Sequence, residues 1–233
     1  MEDILYQYNI VYKVPIRLVF TSNALTKEMF YNRFANVILK TCENGFNEIA
    51  ISDPELEKYI QDTYPTYKFV SSTTKCLNTP ALLKEELAKE QYSLVCLDYN
   101  LNRNFKMLDS FTQEEKDKCE FLVNAICPPG CPSRKEHYYL NSIYYLNYGK
   151  PYQMHYCPIK HNTLHADCLS SHNNLTPEDI YGLYTEKGFT HFKLEGRTLS
   201  TLHMAEHYVN MLILPEHKWY ILSIITDILE GRC

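Results

Sequence analysis

Short apolar runs separated by helix-start signals dominate the sequence, and this alternation constrains the fold more than any other feature. The runs are IRLVF (16–20), EIAI (48–51), KFV (68–70), SLVCL (93–97), EFLV (120–123) and HFKL (191–194). Runs of this length predict buried strands. Asp53-Pro54 and Thr176-Pro177 predict helix starts, because each places a capping side chain before a proline at the first helical position. Strands that alternate with helices predict parallel βαβ units.

The spacing of these runs predicts the size of the sheet. Most intervals are roughly 20 to 32 residues, the length of a βα unit. The interval from 122 to 192 is longer, and it predicts a further strand near 152–156 together with a long insertion. Six or seven strands are fewer than the eight of a complete (β/α)₈ barrel of about 250 residues. We therefore predict an α/β fold, an incomplete TIM-like barrel, as a single domain over residues 1–233 with an inserted Cys/His-rich segment at about 125–175.

Charge and apolar patterning limit the partners of this chain. Its 28 acidic and 23 basic residues give a formal net charge of −5, so no overall positive field attracts RNA or anionic lipid, although a local basic patch is left open. No basic-then-apolar segment opens the chain, and the late apolar stretch at 219–229 is interrupted by polar residues. We expect a cytoplasmic protein without a membrane partner.

Polar side chains follow the predicted strands at the point where each strand ends. Asp98 follows the fourth run, Asn124 the fifth, and Glu195 and Arg197 the last. The carboxyl ends of the strands form the active face of a barrel, so these four residues are the catalytic candidates. Arg197 suits an anionic substrate, because its planar fork binds carboxylate or phosphate in two places. The alternatives are ordinary polar loops and, for Arg197, a salt bridge to Glu195 or to a helix acid.

Clustered cysteines indicate a metal or redox site. The chain has nine cysteines, and in a reducing compartment they are thiols rather than disulfides. Cys127 and Cys131 bracket a Pro-Pro-Gly turn, and Cys157 and Cys168 follow within the predicted insertion. Four thiolates suit zinc or an iron–sulfur cluster. The alternative is a loop whose thiols bind no metal.

Two blocks of the sequence resemble a known family. FLVNAICPPGCPSRKEHY (121–138) and GFTHFKLEGR (188–197) resemble motifs of the collagenase-like peptidase family. Its members commonly carry a strand ending in Val-Asn, a C-x₃-C-P element followed by Arg and His, and a late Phe-Lys-(Ile/Leu)-Glu-Gly-Arg strand. LDYNLNRN (97–104) is similar to another of its segments. The likeness follows the order of elements from about 16 to 205 and is sharp in the first two blocks.

The resemblance implies a TIM-like barrel and, as in several relatives, a [4Fe-4S] cluster on cysteines. By position, Cys127 and Cys131 match the family's cysteine pair, while Lys193, Glu195 and Arg197 match its final strand. Two activities are implied. One is the historical peptidase assignment. The other is hydroxylation of tRNA, ribosomal RNA or ubiquinone precursors, with prephenate as an oxygen source in some RNA-modifying relatives.

The resemblance, taken with the clustered cysteines and the basic residues, implies a metal- or iron–sulfur-bearing modification enzyme of the hydroxylation type that acts on an anionic small molecule or RNA. Arg134, His137 and Lys193 are the candidate substrate-binding residues, and zinc is the alternative metal. A noncatalytic, metal-stabilised binding or accessory subunit is the alternative function, and a peptidase is the second alternative. A partner protein or a second copy of the chain would complete the barrel.

Overall fold

The computed structural model describes residues 2–20, 30, 32–125, 127–146, 174–196 and 200–232. The chain divides into two compact units. Unit 1 comprises Met1–Leu77, Ala81–Cys96 and Pro132–Cys157, and unit 2 comprises Asn78–Pro80, Leu97–Cys131 and Pro158–Cys233. The predicted single-domain organisation stays a prediction.

Six strands lie in the described residues, and every pairing with a defined register is parallel. They are β1 (Arg17–Phe20), β2 (Glu48–Ile51), β3 (Lys68–Ser71), β4 (Tyr92–Cys96), β5 (Cys119–Leu122) and β6 (His191–Lys193). Each strand coincides with one of the apolar runs to within one residue at either end, so the six strand predictions and the α/β class are confirmed. The further strand predicted near 152–156 falls outside the described residues.

Helices separate most of these strands. They are α1 (Glu2–Leu5), α2 (Arg33–Cys42), α3 (Pro54–Thr63), α4 (Pro80–Leu87), α5 (Phe105–Leu108), α6 (Gln113–Lys118), α7 (Arg134–Leu146), α8 (Pro177–Asp179), α9 (Thr201–Leu212) and α10 (Lys218–Leu229). Both predicted helix starts are confirmed. The Asp53 side chain accepts a hydrogen bond from the Leu56 N–H at 2.8 Å, and Thr176 forms a reciprocal capping box with Asp179. Within the described residues, no helix is both long and apolar enough to cross a membrane.

Unit 1 is built on a parallel ladder of β1, β2, β3 and β4 in chain order. Most residues of β2, β3 and β4 are buried, and Ala50, Val70 and Leu94 form an apolar cluster across these neighbouring strands. The helix α3 buries Leu56 and Ile60, four residues apart and therefore on one helical face. Burial of these aliphatic side chains removes apolar surface from water, which is the main stabilising contribution to such a layer.

A buried ionic network lies within unit 1. The Lys75 ammonium donates to Glu86 Oε1 at 2.7 Å and to the Tyr92 hydroxyl at 2.6 Å. Tyr92 in turn donates to Glu57 Oε2, and the Ser71 hydroxyl donates to Glu86 Oε1, each at 2.5 Å. Every buried charge in this set therefore has a hydrogen-bonded partner, which is the condition for keeping charges out of water.

Unit 2 contains the parallel pair β5 and β6, which align Phe121 with Phe192. Phe121 lies 5.0 Å from the rings of both Tyr184 and Phe189 in edge-to-face geometry, which aromatic pairs favour. The buried Tyr184 hydroxyl donates to the Asn102 carbonyl at 2.6 Å, so the polar end of this ring also has a partner. This aromatic cluster holds β5 and β6 in place and thereby positions the loops that follow them.

Candidate functional site

The ends of β5 and β6 in unit 2 are joined by Asn124. Its side-chain Oδ1 accepts from the Glu195 N–H and its Nδ2 donates to the Glu195 carbonyl, both at 2.8 Å. The carboxamide thus acts as an additional peptide unit, extending the pairing beyond the bond from the Val123 N–H to the Lys193 carbonyl at 3.0 Å. Two of the predicted catalytic residues are brought together here. The contact uses the side chain of Asn124 but only the backbone of Glu195.

A buried histidine, which sequence reasoning missed, lies beside Asn124. His207 is on α9, is fully buried, and its Nδ1 lies 3.5 Å from Asn124 Nδ2. A side-chain amide donating to a ring nitrogen requires that nitrogen to carry no proton. The sequence offered no signal for this pairing, because a histidine within an amphipathic helix is usually an ordinary core or surface residue.

Asp98 occupies the loop after β4 and is fully buried. Its Oδ1 accepts from the backbone N–H of Asn100 at 3.0 Å and from Asn100 Nδ2 at 2.8 Å, so Asp98 caps the short 3₁₀ turn Tyr99–Leu101. Asn100 Oδ1 then accepts from the Gly130 N–H at 2.8 Å. The chain Asp98–Asn100–Gly130 fastens the cysteine-bearing loop after β5 to the loop after β4, and both of these loops belong to unit 2.

The cysteine loop itself is a tight turn. The Cys131 N–H lies 3.3 Å from the Pro128 carbonyl, and Gly130 has φ +65, a left-handed conformation that favours glycine. Cys127 and Cys131 are both of intermediate exposure. Their side chains are therefore carried on a short, constrained segment that is accessible to an incoming ion.

Other cysteines of the described chain lie in a different environment. Burial raises the pKa of the Cys42 thiol, and burial followed by the nearby Glu115 carboxylate raises the pKa of Cys119. Thiolates, not thiols, bind metals. These two residues are therefore poor metal ligands.

The predicted four-thiolate set is only partly visible. Cys157 and Cys168 fall outside the described residues, so their convergence with Cys127 and Cys131 stays a prediction. Within the described ranges, no group of three or more His, Cys, Asp or Glu side chains is arranged to hold a metal. A tetrahedral site on the cysteine loop would therefore need two ligands from elsewhere in the chain, as the sequence prediction proposes.

The predicted substrate-binding residues are distributed over both units. Lys193 on β6 lies in unit 2, where its ammonium is 3.8 Å from the Glu120 carboxylate. Arg134 and His137 belong to α7 in unit 1, where Arg134 is buried and His137 half-buried. Arg197 falls outside the described residues. Lys193 is thus the substrate-binding candidate that lies in the same unit as Asn124.

A second set of contacts, also missed in the sequence, holds the far side of the β5 end. Asn174 Nδ2 donates to the Ala125 carbonyl at 3.2 Å, and the Asn174 carbonyl accepts from Arg103 at 2.8 Å. Arg103 also donates to Asp179 Oδ2 at 2.6 Å. Burial acts to raise the pKa of Asp179, but the Arg103 hydrogen bond and charge outweigh it and hold that pKa below its usual value. The end of β5 is therefore fixed from two sides.

No protein-family model, curated protein or solved structure matches this chain. Membership of the collagenase-like peptidase family rests on the sequence blocks at 121–138 and 188–197, and it stays a prediction.

Proposed function

We propose that this chain is a metal- or iron–sulfur-bearing modification enzyme related to the collagenase-like peptidases, built on an incomplete (β/α) barrel and acting in the cytoplasm. The observation that carries the proposal is the hydrogen-bonded chain from Asp98 through Asn100 to Gly130. It secures two partly exposed thiols beside the carboxyl end of a parallel strand. That end of the strands is where parallel α/β folds place their chemistry.

The donor chemistry of the cysteine loop fits a soft metal site. Cys127 and Cys131 would supply two thiolates, and Cys157 and Cys168 would supply the other two. Such a set binds zinc, which acts as a Lewis acid, or a [4Fe-4S] cluster, which transfers electrons. Thiolate ligation requires loss of the thiol protons, and burial opposes that loss at Cys119 by raising its pKa.

An anionic substrate, either a small molecule or RNA, is the substrate class that the basic residues favour. Lys193 lies on the last strand, and Arg197 follows it in the sequence. The ion pair between Lys193 and Glu120 is long, at 3.8 Å, and the Lys193 side chain remains about one quarter exposed, at 24%. With Glu120 retained as its buried partner, the partly exposed Lys193 ammonium is suited to hold and orient a substrate carboxylate or phosphate.

A noncatalytic, metal-stabilised binding or accessory subunit is the second candidate. This role is favoured because two of the proposed catalytic side chains already form structural hydrogen bonds. Asp98 caps a turn, and Asn124 pairs the backbone of two strands. Side chains in such positions stabilise loops whether or not a reaction follows.

Absorbance spectroscopy of anaerobically purified protein, combined with metal analysis, separates these candidates. A broad band near ~400 nm with stoichiometric iron supports the cluster-bearing enzyme. Stoichiometric zinc without that band supports a structural metal and the accessory role. Protein that carries neither metal, even after anaerobic reconstitution with iron and sulfide or with zinc, contradicts both.

A further inference from the structure

The Asn124 carboxamide can be oriented in only one way. Its Oδ1 faces the Glu195 N–H and its Nδ2 faces the Glu195 carbonyl, both at 2.8 Å. Because an N–H donates and a carbonyl accepts, the backbone of Glu195 fixes which end of the side chain carries the NH₂ group. One hydrogen of that group is used by the Glu195 carbonyl, and the other is left for a second acceptor. We call the pair of bonds between Asn124 and Glu195 the strand closure.

The orientation of Asn124 in turn assigns the proton of His207. The two residues are almost fully buried, and His207 Nδ1 lies 3.5 Å from Asn124 Nδ2. Since Nδ2 is a donor, Nδ1 is the acceptor, and a neutral imidazole then carries its proton on Nε2. The backbone of Glu195 therefore selects the tautomer of His207 through a single carboxamide.

A protonated His207 is incompatible with the strand closure. An imidazolium ring has an N–H on both nitrogens, so its Nδ1–H would meet the NH₂ group of Asn124 donor against donor. Asn124 cannot turn over to offer its oxygen, because both of its ends are held by Glu195. Taking the added positive charge out of water also costs free energy. The closure and a proton on Nδ1 therefore exclude each other.

From these contacts, we infer that His207 is a positioning residue that makes the strand closure sensitive to pH: neutral His207 supports the closure, and proton uptake at Nδ1 opens it. The proton comes from solvent, and no covalent bond changes. Asn124 lies three positions before Cys127, so opening of the closure releases the start of the cysteine loop. The arrangement links the pH of the solution to the geometry of the candidate site.

Other titratable groups lie on α9, on the segments that pack against it and beside Asn124. They are His203, Glu206 and Tyr208 on α9, Glu178, Asp179 and Tyr181 at α8 and the turn after it, His217, Lys218, Tyr220 and Asp227 at α10, and Glu195 itself. Asp179 and Asp227 are ion-paired with Arg103 and Arg232. Among these residue types, only histidine has an ordinary pKa between 7.5 and 5. His203, on the same helix, is therefore the group from which His207 has to be distinguished.

Linkage gives the size and the sign of the expected effect. A histidine in water has a pKa of about 6.5. Once the closure opens, His207 can take up a proton at that ordinary value, whereas the closed state excludes the proton. The open state therefore gains about 10-fold in population for each pH unit below 6.5, or about 30-fold at pH 5. The closure is fully supported above pH 6.5 and is lost progressively as pH falls.

Two measurements on the wild-type full chain test the inference without any variant. At pH 7.5, long-range ¹H–¹⁵N NMR should show His207 with a proton on Nε2 and none on Nδ1. Between pH 7.5 and pH 5, hydrogen-exchange protection of the Glu195 N–H, corrected for the intrinsic rate at each pH, should fall by about 30-fold. The Leu97 N–H, which donates to the Glu120 carbonyl at 2.9 Å in the same unit, is the reference and should change by less than about 3-fold.

Two variants assign the effect to His207. Asparagine keeps an acceptor oxygen near the position of Nδ1 but does not titrate, so His207→Asn should hold the protection of the Glu195 N–H constant with pH. His203→Asn, one turn earlier on α9, should keep the wild-type loss. Neither readout involves a metal or a substrate, so failure of the proposed function leaves the result unaffected. A proton on Nδ1 of His207 at pH 7.5, protection of Glu195 that does not change with pH in the wild type, or the same pH dependence in both variants overturns the inference.

Discussion

The side chain of Asn124 forms two hydrogen bonds with the backbone of Glu195, which lies 71 positions further along the chain. Both bonds are 2.8 Å long, and Asn124 is 1% exposed. A single carboxamide therefore closes the ends of two neighbouring parallel strands. This arrangement has direct consequences for stability.

Replacing Asn124 by Asp tests this closure. The carboxylate retains an acceptor for the Glu195 N–H but loses the donor and places negative charge against the Glu195 carbonyl. We expect a loss of about 2–4 kcal/mol in the free energy of unfolding, measured by urea denaturation, since a buried polar group is left without its partner. The exposed Asn78→Asp serves as a control with a change below about 0.5 kcal/mol. Equal stability of the two variants would contradict the structural role of Asn124.

Asn100→Ala tests whether the cysteine loop is held by the loop after β4. The variant removes the acceptor of the Gly130 N–H and the donor to Asp98. Loss of these hydrogen bonds should destabilise the ordered conformation of the cysteine loop by about 1 kcal/mol. We therefore expect the alkylation rate of Cys127 and Cys131 in the metal-free protein to rise by roughly 5-fold, measured by peptide mass spectrometry. Asn78→Ala should leave that rate unchanged, and an unchanged rate in Asn100→Ala as well would show that the loop is held by other contacts.

The buried network around Glu86 predicts a dependence of stability on pH. Burial acts to raise the pKa of Glu86, but hydrogen bonds from Lys75, Lys89 and Ser71 outweigh it and hold the pKa below its ordinary value of 4.5. A lowered folded-state pKa means that this stabilisation is fully present above pH 4.5 and is lost as pH falls through the lower value.

Glu86→Gln and Glu85→Gln form a matched pair for this test, because Glu85 is exposed on the same helix. At neutral pH, we expect Glu86→Gln to lose about 3 kcal/mol in the free energy of unfolding, since it leaves the largely buried Lys75 with only the more distant carboxylate of Glu57, at 3.8 Å. The difference from wild type should shrink as pH falls below 4.5, whereas Glu85→Gln should follow wild type throughout. If the difference in unfolding free energy between Glu86→Gln and wild type did not change with pH, the result would contradict the linkage argument.

Local sequence patterns predicted the parts of the fold that depend on local physics. Apolar runs located all six described strands, and Asp53 and Thr176 marked helix starts, because strand burial and capping are encoded within a few residues. The rule that polar residues after parallel strands share one face selected Asn124 and Glu195. What it could not give is the backbone closure, in which the Asn124 side chain binds the main chain of Glu195.

The contacts that the sequence did not predict join residues that are far apart along the chain. His207 meets Asn124 across 83 positions, and Arg103 meets Asp179 across 76. Such pairs depend on how helices pack after the sheet has formed, and no local pattern specifies them. Residues 147–173 contain two of the four predicted thiolate ligands, and because they fall outside the described residues, the shared metal site stays a prediction.

The charge balance predicts weak binding to RNA. With 28 acidic and 23 basic residues, the chain has few uncompensated cations to neutralise phosphates. In a gel-shift series with bulk tRNA at physiological salt, we expect a dissociation constant weaker than about 1 μM, and a further loss of affinity on raising the salt. Submicromolar binding would contradict the charge argument and would favour an RNA substrate over a small molecule.

The metal content of three cysteine variants tests the central claim most directly. We expect anaerobically reconstituted wild type to hold one zinc ion or one iron–sulfur cluster per chain. Cys127→Ser and Cys131→Ser should each lose it, because one thiolate of a four-thiolate site is removed. Cys42→Ala, which changes a buried thiol of raised pKa, should retain it. Full metal occupancy in Cys127→Ser and Cys131→Ser, or no stoichiometric metal in the wild type, would contradict the account.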